Sequence, residues 1–187
     1  MRQGDPLAPS LFVIAEEVLS RGLIALYAEG KVSRFVTARG CIAPSHLLFA
    51  DDTVIFTNGR RNSLKNLMEF LGRYEAASGQ LINKTKSCFV IHRNAPRCRV
   101  DMIGSVVGFP RKELPIMYLG APLFAGAPKA SFFTFLVDKI RKQIASWNGK
   151  LLSKGGRLVL LKSVLYSIQH YVLSISAAPA SVIHQID

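Results

Sequence analysis

Residues 46–57 read HLLFADDTVIFT, two short apolar runs separated by the carboxylates of Asp51 and Asp52. Val, Ile, Phe and Thr favour extended backbone, so two such runs flanking turn-forming residues predict a β-hairpin. Adjacent carboxylates inside an apolar stretch need an explanation, because an unpaired charge removed from water costs several kcal/mol. Two readings fit these residues about equally. A tight turn projecting carboxylates from the end of a hairpin is a platform for Mg²⁺, which prefers hard oxygen ligands and shares them with substrate phosphates. Aspartate is also a common turn residue, and a solvated Asp-Asp turn explains the same dipeptide without a metal.

On the N-terminal side, Leu11, Ile14, Ala15, Val18, Leu19, Leu23 and Leu26 recur at helical spacing from Pro9 to the vicinity of Gly30, predicting one long amphipathic helix. The loop before it runs Arg2-Gln3-Gly4-Asp5-Pro6. It reads either as a phosphate-binding helix N-terminus assisted by the Arg2 charge, or as a plain cap in which Asp5 satisfies the first turn. Downstream, Leu64, Leu67, Met68 and Leu71 predict a second helix, capped by Asn62 or Ser63 and closing at Ser78-Gly79. A strand over Ser87 to His92 follows, then a Pro- and Arg-containing connection. Ile116 to Gly120 and Ala121 to Phe124 read as two short strands around a glycine turn. Phe133, Leu136, Val137, Ile140, Ile144 and Trp147 mark a third helix, whose outer face carries Lys139, Arg141 and Lys142. Past Lys154-Gly155-Gly156, a fourth helix is expected to place Leu158, Leu161, Leu165, Ile168, Val172 and Ile175 on one stripe before Pro179.

With 187 residues, 49% of them apolar, the chain is long enough for one domain or one domain with an appendage, and it needs no disulfide or metal staple. The formal net charge of +12 is uneven: residues 1–80 carry +1, residues 81–157 carry +11 and residues 158–187 are neutral. A field of that sign attracts polyanions, either nucleic acid or an anionic membrane surface. Mean hydropathy is +0.24, yet the most apolar stretch, Leu158 to Ile175, is broken by Lys162, Gln169 and His170, so no membrane span and no membrane partner are expected. The N-terminus lacks an apolar signal region, and three cysteines without a Cys-x-x-Cys pair suit a reducing, intracellular setting. Cys88, His92 and Cys98 can be drawn as zinc ligands, but their spacing matches no common site.

Five motifs in order cover nearly the whole chain: RQGDPLAPSLF at 2–12, LLFADDTVIF at 47–56, SGQLINKTKS at 78–87, YLGAPL at 118–123 and WNGKLLSKGGRLVLLKSV at 147–164. Together they resemble the reverse transcriptase of plant non-LTR, LINE-type retrotransposons. The resemblance implies an α+β fold, with a palm-like antiparallel sheet and packed helices over residues 1–125 and a thumb-like helical segment over 126–187. It places Asp51 and Asp52 in the acidic pair that serves catalytic Mg²⁺ or Mn²⁺, with Asp51 the stronger candidate for a direct ligand. Arg2, Gln3, Gly4 and Asp5 match the loop against the incoming nucleotide, and Lys86 falls near the triphosphate. Tyr118, Leu119 and Gly120 match the primer grip. Lys139, Arg141, Lys142, Lys150, Lys154 and Arg157 are then available to the phosphates of an RNA template and DNA primer duplex, with deoxynucleoside triphosphates as substrates.

The chain departs from that pattern in two ways. Ala8 stands where the family often has serine, and the only aspartate before Asp51 is Asp5, already assigned to the Gln-Gly-Asp loop, so the further metal-binding aspartate of an upstream palm strand is expected to be missing. The expectation is a fragment lacking fingers and that strand, inactive alone. The alternatives are a non-catalytic nucleic acid-binding remnant using residues 81–157, and an unrelated Mg²⁺-dependent phosphotransfer or hydrolase domain, which would need another carboxylate cluster.

Overall fold

The computed structural model describes residues 6–37, 41, 43–146 and 153–186. The chain divides into two units, Met1–Lys112 and Glu113–Asp187, both mixtures of helix and short strand, so the architecture is α+β.

In the first unit, α1 (Ala8–Ala28) has Pro9 at its start, where a missing N–H costs nothing, and ends before Gly30 at φ +70°. β1 (His46–Phe49) and β2 (Asp52–Ile55) form the antiparallel hairpin, paired His46 to Ile55 and Phe49 to Asp52. α2 (Arg61–Ser78) follows, closed by Gly79 in the left-handed conformation at φ +74°. Its cap residue is Arg60, two residues before Asn62 and three before Ser63: Asn58 Oδ1 accepts the Arg60 N–H, and Asn62 and Ser63 lie inside the helix. Ser63 is buried there and accepts the Ser33 N–H at 3.2 Å.

Leu19, Leu23, Leu26 and Tyr27 of α1 pack against Leu67, Leu71 and Tyr74 of α2, with Val32 sealing the junction and Leu48 and Ile55 of the hairpin laid over it. Gly22 makes the two helices' approach possible, because a Cβ there would meet the Phe70 ring at 2.3 Å. The opposite flank of α1 is uncovered: Leu11, Val13, Ile14 and Val18 are all exposed. Of the predicted stripe only Leu19, Leu23 and Leu26 are buried.

The expected strand over 87–92 contracts to β3 (Phe89–Val90), which pairs in parallel with β4 (Arg111–Lys112). Between them the Pro- and Arg-containing connection is a helix, α3 (Arg97–Val107), closed by Gly108 at φ +70°. Its Ile103 and Val107 bury against Leu64 of α2. A parallel pair requires a crossover, and α3 is that crossover.

In the second unit, β5 (Ile116–Tyr118) and β6 (Ala121–Leu123) form an antiparallel hairpin that follows a cis Leu114–Pro115 peptide. A 3₁₀ turn (Ala130–Phe133) leads into α4 (Thr134–Ser146). α5 (Lys154–Leu160), a π turn (Leu161–Leu165) and α6 (Tyr166–Ile175) run as one continuous helix, and α7 (Ala180–Ile186) begins after Pro179. Phe133, Leu136, Val137, Ile140, Leu165, Val172 and Val182 make the core, with Phe124 edge-on to Phe133 at 6.2 Å.

Two expectations are corrected here. Lys162, Gln169 and His170 do break the apolar run, yet Lys154–Ile175 is a 22-residue helix with a mean hydropathy of 1.4, long and apolar enough by length and composition alone to cross a membrane, where no such segment was expected. The predicted stripe is not one covered face either. Leu165 and Val172 are buried, whereas Leu158 and Leu161 are 52% and 48% exposed and Ile175 is exposed too. The π turn adds a residue between the two halves and rotates the following face by about 100°, so Leu158 and Leu161 fall off the line that Leu165 and Val172 share.

Candidate active site

Strand pairing Phe49 with Asp52 leaves a two-residue connection, Ala50–Asp51, at the tip of the hairpin. Ala50 reverses the chain with φ +48°, a left-handed conformation that costs an alanine about 1–2 kcal/mol relative to glycine's freedom. That reversal puts Asp51 at the apex and Asp52 on the first rung of β2, directly across from Phe49. Both carboxylates are exposed. Of the settings the sequence left open, a solvated turn is the one observed: the turn lifts both carboxylates clear of the core. Ala50→Gly should stabilise the first unit by about 0.5–1 kcal/mol, and Ala50→Val should destabilise it by about 1–2 kcal/mol, as measured by urea unfolding.

The hairpin is anchored from below. Leu48 and Ile55 face the α1–α2 core, whereas Leu47 and Phe49 lie on the other face and are exposed, Phe49 by 60%. The Tyr27 hydroxyl of α1 donates to the Phe56 carbonyl at 2.6 Å and lies 3.2 Å from that of Ser45, tying both strand ends to one helix. Burial pushes the Tyr27 phenol up to about 12, against a smaller opposing pull from Arg34, so it remains a donor at physiological pH. The Phe56 N–H donates to the Ser45 carbonyl and extends the ladder.

His46 provides a second tie. Ser20 Oγ lies 2.9 Å from its Nε2 and Ser45 Oγ 2.9 Å from its Nδ1. Burial holds its imidazole below the usual value of 6.5. As pH falls through about 6.5 the unfolded chain therefore takes up a proton before the folded one, and stability should decrease on acidification until the lowered folded value is passed. Urea unfolding at about pH 7.5 and about pH 5.5 should show this loss, and His46→Gln should reduce it.

The SGQLINKTKS motif is built onto α2. Ser78 Oγ donates to the Tyr74 carbonyl at 2.7 Å, Tyr74 donates its hydroxyl to Gln80 Oε1, and Glu75 Oε1 accepts the Ile82 N–H at 2.6 Å. Asn83 Oδ1 then accepts from the Thr85 N–H, the Thr85 hydroxyl and the Lys86 N–H, forming an Asx turn that ends at exposed Lys86. Every named polar side chain of this motif before Lys86 thus has a local structural role.

In the second unit, Leu119 and Gly120 make the β5–β6 turn, with φ +50° and +78°. Both values being positive is what a right-twisted two-residue hairpin turn demands. Lys139, Arg141 and Lys142 are exposed on α4, Lys154 opens α5 and Arg157 lies in its last turn. Arg2, Gln3, Gly4, Asp5, Trp147 and Lys150 lie outside the described residues.

The carboxylate oxygens of Asp51 and Asp52 suit a hard divalent cation in type. Among the described residues no three His, Cys, Asp or Glu side chains gather into a metal-holding group, so these two would leave most of its coordination to water and phosphate. Cys88, His92 and Cys98 do not gather into such a group either. A shallow cavity of about 430 Å³ lined by Gly59, Arg60, Cys98, Arg99 and Met102 includes neither aspartate.

The hairpin thus presents two adjacent exposed carboxylates at its tip, with its other end tied to the α1–α2 core. Residues 1–123 match the reverse transcriptase (RNA-dependent DNA polymerase) family, and the chain belongs to that family. It is also 42% identical over 53 residues to an uncharacterized mitochondrial protein of Arabidopsis thaliana, a stretch covering 28% of this chain and 43% of that protein. The chain thus spans less than half the length of that relative.

Proposed function

We propose that the chain is part of a LINE-type reverse transcriptase of the plant non-LTR class, contributing to two-metal nucleotidyl transfer and inactive by itself. The observation that carries this is the Ala50–Asp51 turn, which holds Asp51 and Asp52 at the solvent-facing tip of an anchored hairpin inside the family match. In this reading Asp51 and Asp52 hold Mg²⁺ or Mn²⁺, whose chemistry is to lower the pKa of the primer 3′-hydroxyl and to neutralise the triphosphate. Arg2, Gln3, Gly4 and Asp5 position the incoming nucleotide, and Lys86 lies toward its phosphates. Tyr118, Leu119 and Gly120 hold the primer end. Lys139, Arg141, Lys142, Lys150, Lys154 and Arg157 take the phosphate backbone of the RNA template and DNA primer.

A second reading, a non-catalytic nucleic acid binder, is favoured by the exposed cations of α4. Two assays on the purified chain separate these readings. Primer extension on an RNA template with Mg²⁺ or Mn²⁺ should give no product, and incorporation that vanishes in Asp51→Ala would overturn the inactivity. Template–primer binding at low salt should be seen, and should tighten with Mn²⁺ only when Asp51 is present. Binding indifferent to Mn²⁺ and to Asp51→Asn supports the binder, and no binding at low salt ends both.

A further inference from the structure

The β5–β6 turn is held from outside its own hairpin. Tyr171 of α6 donates its hydroxyl to the Leu119 carbonyl at 2.7 Å, across 52 residues of sequence. The contact falls on the residue that most needs support: Leu119 sits at φ +50°, where a branched side chain is unfavourable, and such a conformation persists only when its surroundings over-determine it. The Tyr171 ring also lies alongside the turn, with Cε1 3.9 Å from where a Gly120 Cβ would stand. Its neighbour Val172 is buried in the core with Leu165 and Phe133, so the hydroxyl is delivered from a fixed helix.

We infer that Tyr171 is a positioning residue for the primer end, locking the Leu119–Gly120 peptide in the orientation that the 118–120 segment presents to a primer. The inference rests on the primer-grip reading of Tyr118, Leu119 and Gly120. A carbonyl that accepts this hydrogen bond cannot rotate toward solvent, and the backbone on either side of it keeps one position. Without the hydroxyl, the Leu119–Gly120 peptide is free to flip out of its left-handed geometry.

The test compares the purified chain's affinity for a template–primer with a recessed 3′ end against a blunt duplex of equal length, by fluorescence anisotropy at low salt. The wild-type chain should prefer the recessed end by about tenfold. Tyr171→Phe, which keeps the ring and removes one oxygen, should lower recessed-end affinity about five- to tenfold and leave blunt-duplex affinity unchanged. Gly120→Ala, which strains the same turn at φ +78° with the hydroxyl in place, should produce the same selective loss. If wild type shows no preference, the primer-grip reading fails and the inference with it. If wild type prefers the recessed end and Tyr171→Phe keeps that preference, or loses both affinities equally, Tyr171 is not a positioning residue while the primer grip stands, whatever Gly120→Ala does. Circular dichroism and melting temperature read alongside confirm that each variant is folded. Should Tyr171→Phe prove unfolded, Tyr171→Leu, which also removes the hydroxyl from this exposed position, decides in its place: a selective loss of recessed-end affinity supports the inference and an unchanged preference overturns it.

Discussion

Raising the salt concentration from about 50 mM to about 200 mM should weaken the chain's binding to a template–primer duplex by about 10³-fold. The expectation follows from six cations assigned to phosphate contacts, Lys139, Arg141, Lys142, Lys150, Lys154 and Arg157. Each neutralised phosphate releases about 0.9 of a condensed counterion on duplex DNA, so six contacts give a log–log slope of about −5. Lys139, Arg141 and Lys142 are exposed on a helix whose Leu136, Val137 and Ile140 are buried, so neutralising them leaves the core intact. The triple change Lys139→Gln, Arg141→Gln, Lys142→Gln should therefore reduce the slope by about 3 while melting unchanged. A slope that the triple change leaves at about −5 would show that the phosphates are met elsewhere.

Phe133→Ala should cost the second unit about 3–5 kcal/mol. Phe133 is 0% exposed, sits at the junction of the 3₁₀ turn and α4, and meets Phe124 edge-on. Truncation removes the ring's transfer energy, leaves a cavity walled by Leu136, Leu165 and Val172, and breaks an aromatic pair worth about 0.5–1.5 kcal/mol. A unit the size of Glu113–Asp187 holds only about 4–11 kcal/mol in total, so this one change takes a large share of it. Urea unfolding followed by the fluorescence of Trp147, the chain's single tryptophan, should show the midpoint fall, and the His46-dependent pH response of the first unit should persist.

The acidic hairpin was legible because its information is local: two β-favouring runs and a turn former occupy twelve consecutive residues. The long first helix and the closing glycines at 79 and 30 were legible for the same reason. α3 was not, although Val100, Ile103 and Val107 recur at helical spacing and Gly108 marks its end. Arg97 and Arg99 in its first turn, after Pro96, gave the segment the composition of a connection. The N-cap of α2 was misplaced because the Asn58 side chain, not Asn62 or Ser63, organises the start of the helix.

The candidate site divides along the same line. That two adjacent carboxylates sit at a turn follows from the residues themselves, and so do the glycine at 120 and the basic face of α4. Their exposure was left open: a solvated turn and a metal platform fitted the residues equally, and the structure shows that one face of the hairpin covers the α1–α2 core while the tip and the Phe49 face remain in solvent.

Sequence alone determined the identity of the elements that a few consecutive residues can specify, since backbone preference and hydrophobic period act over one or two turns. It also pointed to the reverse transcriptase family, the coarser part of the resemblance, which the match over residues 1–123 shows. Tertiary structure decided which apolar stripes find a partner, leaving Val13, Ile14, Leu158 and Leu161 uncovered. It also imposed φ +48° on Ala50, the conformation needed to join two strands in register through two residues. The Tyr171 hydroxyl reaches the Leu119 carbonyl for the same reason: burial and hydrogen bonding are satisfied between surfaces that meet in space, and a separation of 52 residues leaves no local trace.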